Sequence, residues 1–105
     1  MIRKASIMKL YSGMAKEYEK RHSALWPEII EAIYRDGCTS YTIYHDPQTD
    51  LLFEYLEIED AEIWASRGGS EIIQKWWDYM ADIMETNADN SPVCRNINEV
   101  FHLER

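Results

Sequence analysis

Residues 46–50 read Asp-Pro-Gln-Thr-Asp, and the chain on either side is built from β-branched and aromatic residues, 39–45 before and 51–58 after. Proline presets a turn dihedral and aspartate bonds its own backbone, so this stretch predicts a hairpin at the centre of the chain. Whatever else folds must be arranged around it. Upstream, Met14, Tyr18, His22 and Trp26 recur at four-residue spacing, with Leu25 seven residues from Tyr18, which is helical periodicity. Tyr11-Ser12-Gly13 precedes them, and Ser12 has the side chain of a helix cap. Pro27 interrupts the pattern; it either kinks the helix or opens the first turn of a new one. Ile29, Ile30, Ile33 and Tyr34 continue an apolar stripe up to Gly37, a natural helix stop.

Downstream of the hairpin, 60–65 reads as a short helix and Arg67-Gly68-Gly69-Ser70 as a loop. A second strong helix starts at Glu71, with Ile72, Ile73, Trp76, Trp77, Met80 and Met84 at helical spacing. Residues 2–10 at the start and 98–103 at the end carry strand patterning, and 87–92 are polar and turn-prone. The order is strand, helix, strand, strand, helix, strand. It specifies an α+β, ferredoxin-like βαββαβ fold, an antiparallel sheet with its helices on one face.

That layout leaves the second sheet face bare, and here both faces are apolar. Tyr41 and Ile43 oppose Tyr44, and Leu52 and Leu56 oppose Phe53 and Tyr55. A patch of that kind marks an interface, and a homodimer closing sheet on sheet is the simplest cover. At 105 residues one domain spanning 1–105 is expected. Thirteen aromatic residues (four Trp, seven Tyr, two Phe) give it ample core material and argue against disorder.

Charge narrows the partners. The net charge is −8, and residues 37–105 hold fourteen acidic against four basic side chains. A nucleic-acid binder needs a basic footprint, so none is expected. Cys38 and Cys94 have neither metal spacing nor a disulfide framework and fit a reducing compartment. No apolar run approaches the ~18 residues of a membrane span, so a cytoplasmic chain with no membrane association is expected.

Phosphate-loop, HExxH, CxxC and GxSxG motifs are missing from the sequence, so no cofactor and no metal are expected. Of the three histidines, His45 and His102 read as edge or surface residues. His22 lies one turn after Tyr18 and close to the break at Pro27, where a side chain can face a cavity; the other reading is a satisfied, half-buried histidine. Trp76 and Trp77 are either core residues or the wall of a sugar site. Pyranose C–H faces stack on rings, while indole N–H and tyrosyl O–H groups serve the hydroxyls, and Tyr18 and Tyr41 could complete such a lining.

Several motifs together resemble one family over nearly the whole chain. They are Tyr18-Glu19-Lys20-Arg21-His22 with Leu25-Trp26-Pro27-Glu28, Tyr41-Thr42-Ile43-Tyr44, Leu51-Leu52-Phe53, Lys75-Trp76-Trp77-Asp78-Tyr79-Met80, and Asn87-Ala88-Asp89-Asn90-Ser91-Pro92-Val93. The chain is thereby similar to the L-rhamnose mutarotases, small isomerases that interconvert the α and β anomers of L-rhamnose in the cytoplasm. The resemblance implies a dimeric α+β barrel, with L-rhamnose or a related 6-deoxy aldose as substrate. It implies His22 as the proton donor, acting as general acid toward the ring oxygen, and Tyr18, Tyr41, Trp76 and Trp77 as sugar contacts. A cofactor-independent monooxygenase of the same fold, or a sugar-binding module without catalysis, are the alternative readings.

Overall fold

The computed structural model describes residues 1–67 and 70–105. Gly68 and Gly69, from the expected loop, lie outside the described residues. The elements run β1 (Ile2–Lys9), α1 (Ala15–Ser23), α2 (Pro27–Arg35), β2 (Cys38–Asp46), β3 (Leu51–Ile58), α3 (Ala61–Ala65), α4 (Glu71–Met80) and β4 (Arg95–Ile97). The four strands form one antiparallel sheet in the order β2-β3-β1-β4. This is the ferredoxin-like arrangement that the alternation of strand and helix signals predicts.

The central hairpin forms as expected. Asp46 closes its turn by accepting from the Gln48 amide at 3.0 Å and the Thr49 hydroxyl at 2.8 Å. Pro27 resolves to the second of its two options. It occupies the first turn of α2, and Trp26 before it is extended at φ −60°, ψ 134°, as a residue preceding proline prefers. Gly37 adopts φ +89° and turns the chain from α2 into β2.

β2 carries an irregularity. Cys38 pairs with Ile58 but Ser40 pairs with Glu57, so one extra residue is inserted and the side-chain alternation shifts. Beyond it Tyr41, Ile43 and His45 share the helix-covered face with Leu52, Glu54 and Leu56 of β3 and with Ser6 and Met8 of β1. Three buried clusters pack under the helices. Met8, Leu10, Tyr18, Leu52, Met80, Ile83 and Met84 form the first. Cys38, Leu56, Ile58 and Trp64 form the second, and Ile29, Ala32 and Ile73 the third.

Several boundaries differ from the sequence reading. The Tyr11 carbonyl accepts from the Met14 amide at 3.2 Å, so a full turn intervenes before α1 and Met14, not Ser12, is the capping residue. α4 stops at Met80; Met84 instead bridges to Leu10, although it stays buried in the same cluster. The first strand ends at Lys9, with Leu10 only in that isolated bridge. The last strand is Arg95–Ile97 rather than 98–103, because β1 accepts its partner at Ala5–Ile7 and the register leaves the more strand-like residues beyond the sheet.

Gly37→Ala is expected to destabilise the fold by about 1–2 kcal/mol, the cost of a left-handed dihedral for an L-residue. The added Cβ would meet Glu59 Cβ at an ordinary 3.5 Å, so the loss is conformational, not steric. Urea denaturation checks this, and Gly37→Asn should recover part of the loss.

Candidate active site

Between the helices and the inner sheet face lies a cleft of about 1140 Å³. Tyr18, His22, Tyr41, Trp76 and Trp77 all line it, so the five residues singled out from the sequence converge on one space. α1 brings two of them together. Tyr18 and His22 sit one turn apart, and their rings stack at 4.3 Å with 29° between planes. α4 supplies the opposing wall, where Trp76 presents a perpendicular ring 5.5 Å from His22. Trp77, the next residue round the helix, packs on the Ile29–Ala32–Ile73 cluster and borders the cleft from another side.

His22 is oriented by its own helix. Its Nδ1 lies 3.0 Å from the Tyr18 carbonyl oxygen. A carbonyl only accepts, so Nδ1 carries the hydrogen and the neutral ring keeps its lone pair on Nε2. Burial lowers the His22 pKa below its usual value, with the Tyr18 carbonyl partly opposing that shift. The resting imidazole at neutral pH is therefore neutral and has one nitrogen available for proton exchange.

The sheet contributes polar groups that sequence reasoning missed. Glu54 stands on β3 between Leu52 and Leu56, both fully buried. The Ser6 hydroxyl of β1 donates to its Oε1 at 2.8 Å, and the Tyr41 hydroxyl of β2 donates to its Oε2. Burial, followed by the Glu54 charge, pushes the Tyr41 and Tyr18 hydroxyls up, so both stay protonated. Although 37% of Tyr41 is exposed, its hydroxyl end is the part turned inward. At the same end of the cleft Arg67 lies 3.9 Å over the Trp64 ring, and burial lowers its pKa against the pull of Tyr41, Asp36 and Glu54. A carboxylate interrupting the alternating apolar face of β3 was the available sequence signal for Glu54.

Arg21 is the other missed residue, although it lies within the motif that carries His22. Its guanidinium donates to the Tyr79 carbonyl at 2.7 Å, to Asp82 Oδ1 at 2.9 Å and to Glu17 Oε2 at 2.9 Å, and it lies 4.3 Å over the Tyr79 ring. These bonds tie α1 to the end of α4. His45 turns to Asp50, 3.1 Å away, and His102 lies in the exposed C-terminal tail. Among the described residues no group of three or more His, Cys, Asp or Glu is placed to hold a metal ion.

The architecture places the chain among the α+β proteins of the dimeric α+β-barrel type. An antibiotic biosynthesis monooxygenase candidate from Bordetella bronchiseptica superposes with a TM-score of 0.69 over 94% of this chain and 96% of its own, at 12% identity. At that identity the likeness extends to the fold alone. Within this class the chain belongs to the L-rhamnose mutarotase family, whose model matches residues 3–103. An L-rhamnose mutarotase of Lachnoclostridium phytofermentans is 54% identical, covering 99% of this chain and 100% of that protein. One from Listeria monocytogenes is 52% identical over 98% of this chain and 99% of its own. The crystal structure of an L-rhamnose mutarotase from Formosa agariphila, 39% identical, superposes with a TM-score of 0.91 over 99% of this chain and all of that one.

His22 should titrate below its ordinary midpoint of ~6.5 when followed by imidazole proton NMR. Trp76→Ala, which opens the ring to water, should move that midpoint upward. A His22 midpoint at or above 6.5 in the intact protein would contradict the burial described here.

Proposed function

We propose that the chain is an L-rhamnose mutarotase, an isomerase that interconverts the α and β anomers of the sugar by opening and reclosing its ring. The observation that carries this reading is the fixed tautomer of His22. Its Nδ1–H is committed to the Tyr18 carbonyl, so Nε2 is left to exchange a proton inside an aromatic cleft.

Ring opening breaks the C1–O5 bond, adds a proton to the ring oxygen and removes one from the anomeric hydroxyl. The aldehyde then rotates about C1–C2. Closure forms C1–O5 on the opposite face, returns a proton to the anomeric oxygen and takes one from the ring hydroxyl. His22 fits the role of general acid toward the ring oxygen. Neutral at rest, the ring becomes a general acid only after Nε2 takes up a proton; the depressed pKa makes the imidazolium so formed a ready donor, and the neutral ring left behind recovers the proton on closure. Tyr18 steadies the imidazole by stacking, and its protonated hydroxyl is a donor at the cleft. Tyr41, Trp76 and Trp77 supply the faces on which a neutral pyranose rests. Stacking holds the sugar without fixing every atom, which leaves the aldehyde free to turn.

His22→Asn is expected to slow catalysed anomer exchange by about 10²–10⁴-fold, read by saturation-transfer NMR on L-rhamnose. Exchange at the wild-type rate in a folded His22→Asn protein would remove His22 from the mechanism.

We place the protein in the cytoplasm, a setting that its two free cysteines fit. We also propose a homodimer closed through the uncovered sheet face. Ala5, Ile7, Phe53 and Tyr55 lie on that face, with Tyr44 at 66% exposure. The tail beyond β4 adds Phe101 and Leu103, at 78% and 80%. Sedimentation should give twice the mass of one chain, and Phe53→Glu should reduce it to that of a single chain.

A further inference from the structure

The inner face of β3 reads Leu52, Glu54, Leu56, Ile58, and the three apolar members are at most 1% exposed. A carboxylate in such a row carries a desolvation cost unless its oxygens are bonded. Here each oxygen has one donor. Ser6, itself fully buried, stands directly across the β1–β3 ladder from Glu54, and Tyr41 approaches from β2 on the other side. The two donors, one from each flanking strand, fix the carboxylate's position and plane.

An ionised carboxylate can accept about four hydrogen bonds, and Ser6 and Tyr41 use two of these positions. Glu54 lines the cleft, on the wall built by the sheet, across from the helices that carry His22 and Trp76. The two tyrosyl hydroxyls near it are donors, as is the Arg67 guanidinium, so Glu54 supplies an oriented acceptor amid donors and ring faces. A sugar resting on indole and tyrosyl rings is poorly discriminated by stacking, because epimers and deoxy analogues stack almost equally well. An oriented charged acceptor does discriminate, because a hydroxyl missing from the substrate leaves its partner unmet.

We propose that Glu54, anchored by Ser6 and Tyr41, is a specificity-determining residue whose carboxylate accepts a hydrogen bond from one ring hydroxyl of the bound aldose. This rests on the mutarotase reading and adds to it. The aromatic walls hold the ring, His22 exchanges the proton, and Glu54 selects sugars that present a hydroxyl toward the sheet. The C6 methyl of a 6-deoxy sugar cannot make that bond, so the sugar must be oriented with a ring hydroxyl on the sheet side.

The test measures kcat/KM for anomer exchange of L-rhamnose and its 2-, 3- and 4-deoxy analogues with wild-type protein, Glu54→Ala and Glu54→Gln. For the wild type, one analogue should fall about 10- to 100-fold below L-rhamnose, the range for a hydrogen bond to a charged group. In Glu54→Ala that gap should close to within about threefold, through loss on L-rhamnose rather than gain on the analogue. If Glu54→Ala does not melt cooperatively, Glu54→Gln, similar in size, carries the comparison and should narrow the gap at least about fivefold. Wild-type ratios retained across the panel in the folded variants would overturn the assignment, as would a wild type that treats all three analogues like L-rhamnose. Failure of the wild type to accelerate L-rhamnose exchange would instead overturn the mutarotase reading.

Discussion

One half-buried guanidinium ties together two of the helices that wall the cleft. Arg21, its side chain only 10% exposed, bonds Glu17 on its own helix and reaches across to Asp82 and the Tyr79 carbonyl at the end of α4. The carboxylates and the carbonyl together replace the water that the cation gives up. Arg21 immediately precedes His22, so the bridge holding α1 to α4 also sets the approach of the imidazole to Trp76. The free carbonyl at the end of α4 is an ordinary feature of helix termini, and here it becomes an anchor point for a neighbouring helix. The edge of Trp76 meets the His22 ring across the same junction of α1 and α4.

The cleft assembled in this way divides its work between two surfaces. Helices supply rings and an imidazole with one nitrogen unbonded to the protein, while the sheet supplies a carboxylate. The same architecture occurs in structures described as antibiotic biosynthesis monooxygenases at 10–12% identity, so the strand order does not dictate the chemistry. What distinguishes this chain is the set of residues facing inward from α1, α4, β2 and β3. A neutral sugar explains why a net charge of −8 does not obstruct binding: there is no charge on the substrate for the surface field to act on.

Periodicity made much of this legible. The hairpin, α1, α2 and α4 follow from local patterns, because turn residues, the proline and the apolar stripes are short-range signals. The aromatic residues that line the cleft stood out because rings at helical spacing and their surrounding motifs are distinctive. The features that escaped depend on pairing at a distance. Arg95–Ile97 is a strand because β1 offers it a partner, not because Arg-Asn-Ile favours one, and 98–103 have the better composition without the partner. Glu54 interrupts the apolar face of β3 in the sequence, but its partners Ser6 and Tyr41, 48 and 13 residues away, meet it only in the folded sheet. Arg21 was one more basic residue of a helix until the end of α4 lay beside it.

The extra residue in β2 has a wider meaning. Strand side chains follow a two-beat count, and counting from Cys38 without interruption would turn Tyr44 inward and Tyr41 outward. The insertion between Cys38 and Ser40 reverses that assignment for the rest of the strand. Tyr41 thereby joins the cleft, and Tyr44 becomes part of the bare face. The site and the uncovered surface are thus two outcomes of one parity choice. In a lineage of such proteins, a single-residue gain or loss near position 39 would exchange a cleft-facing tyrosine for a surface-facing one without altering either side chain. A comparison that matched residues by type alone would not see the change.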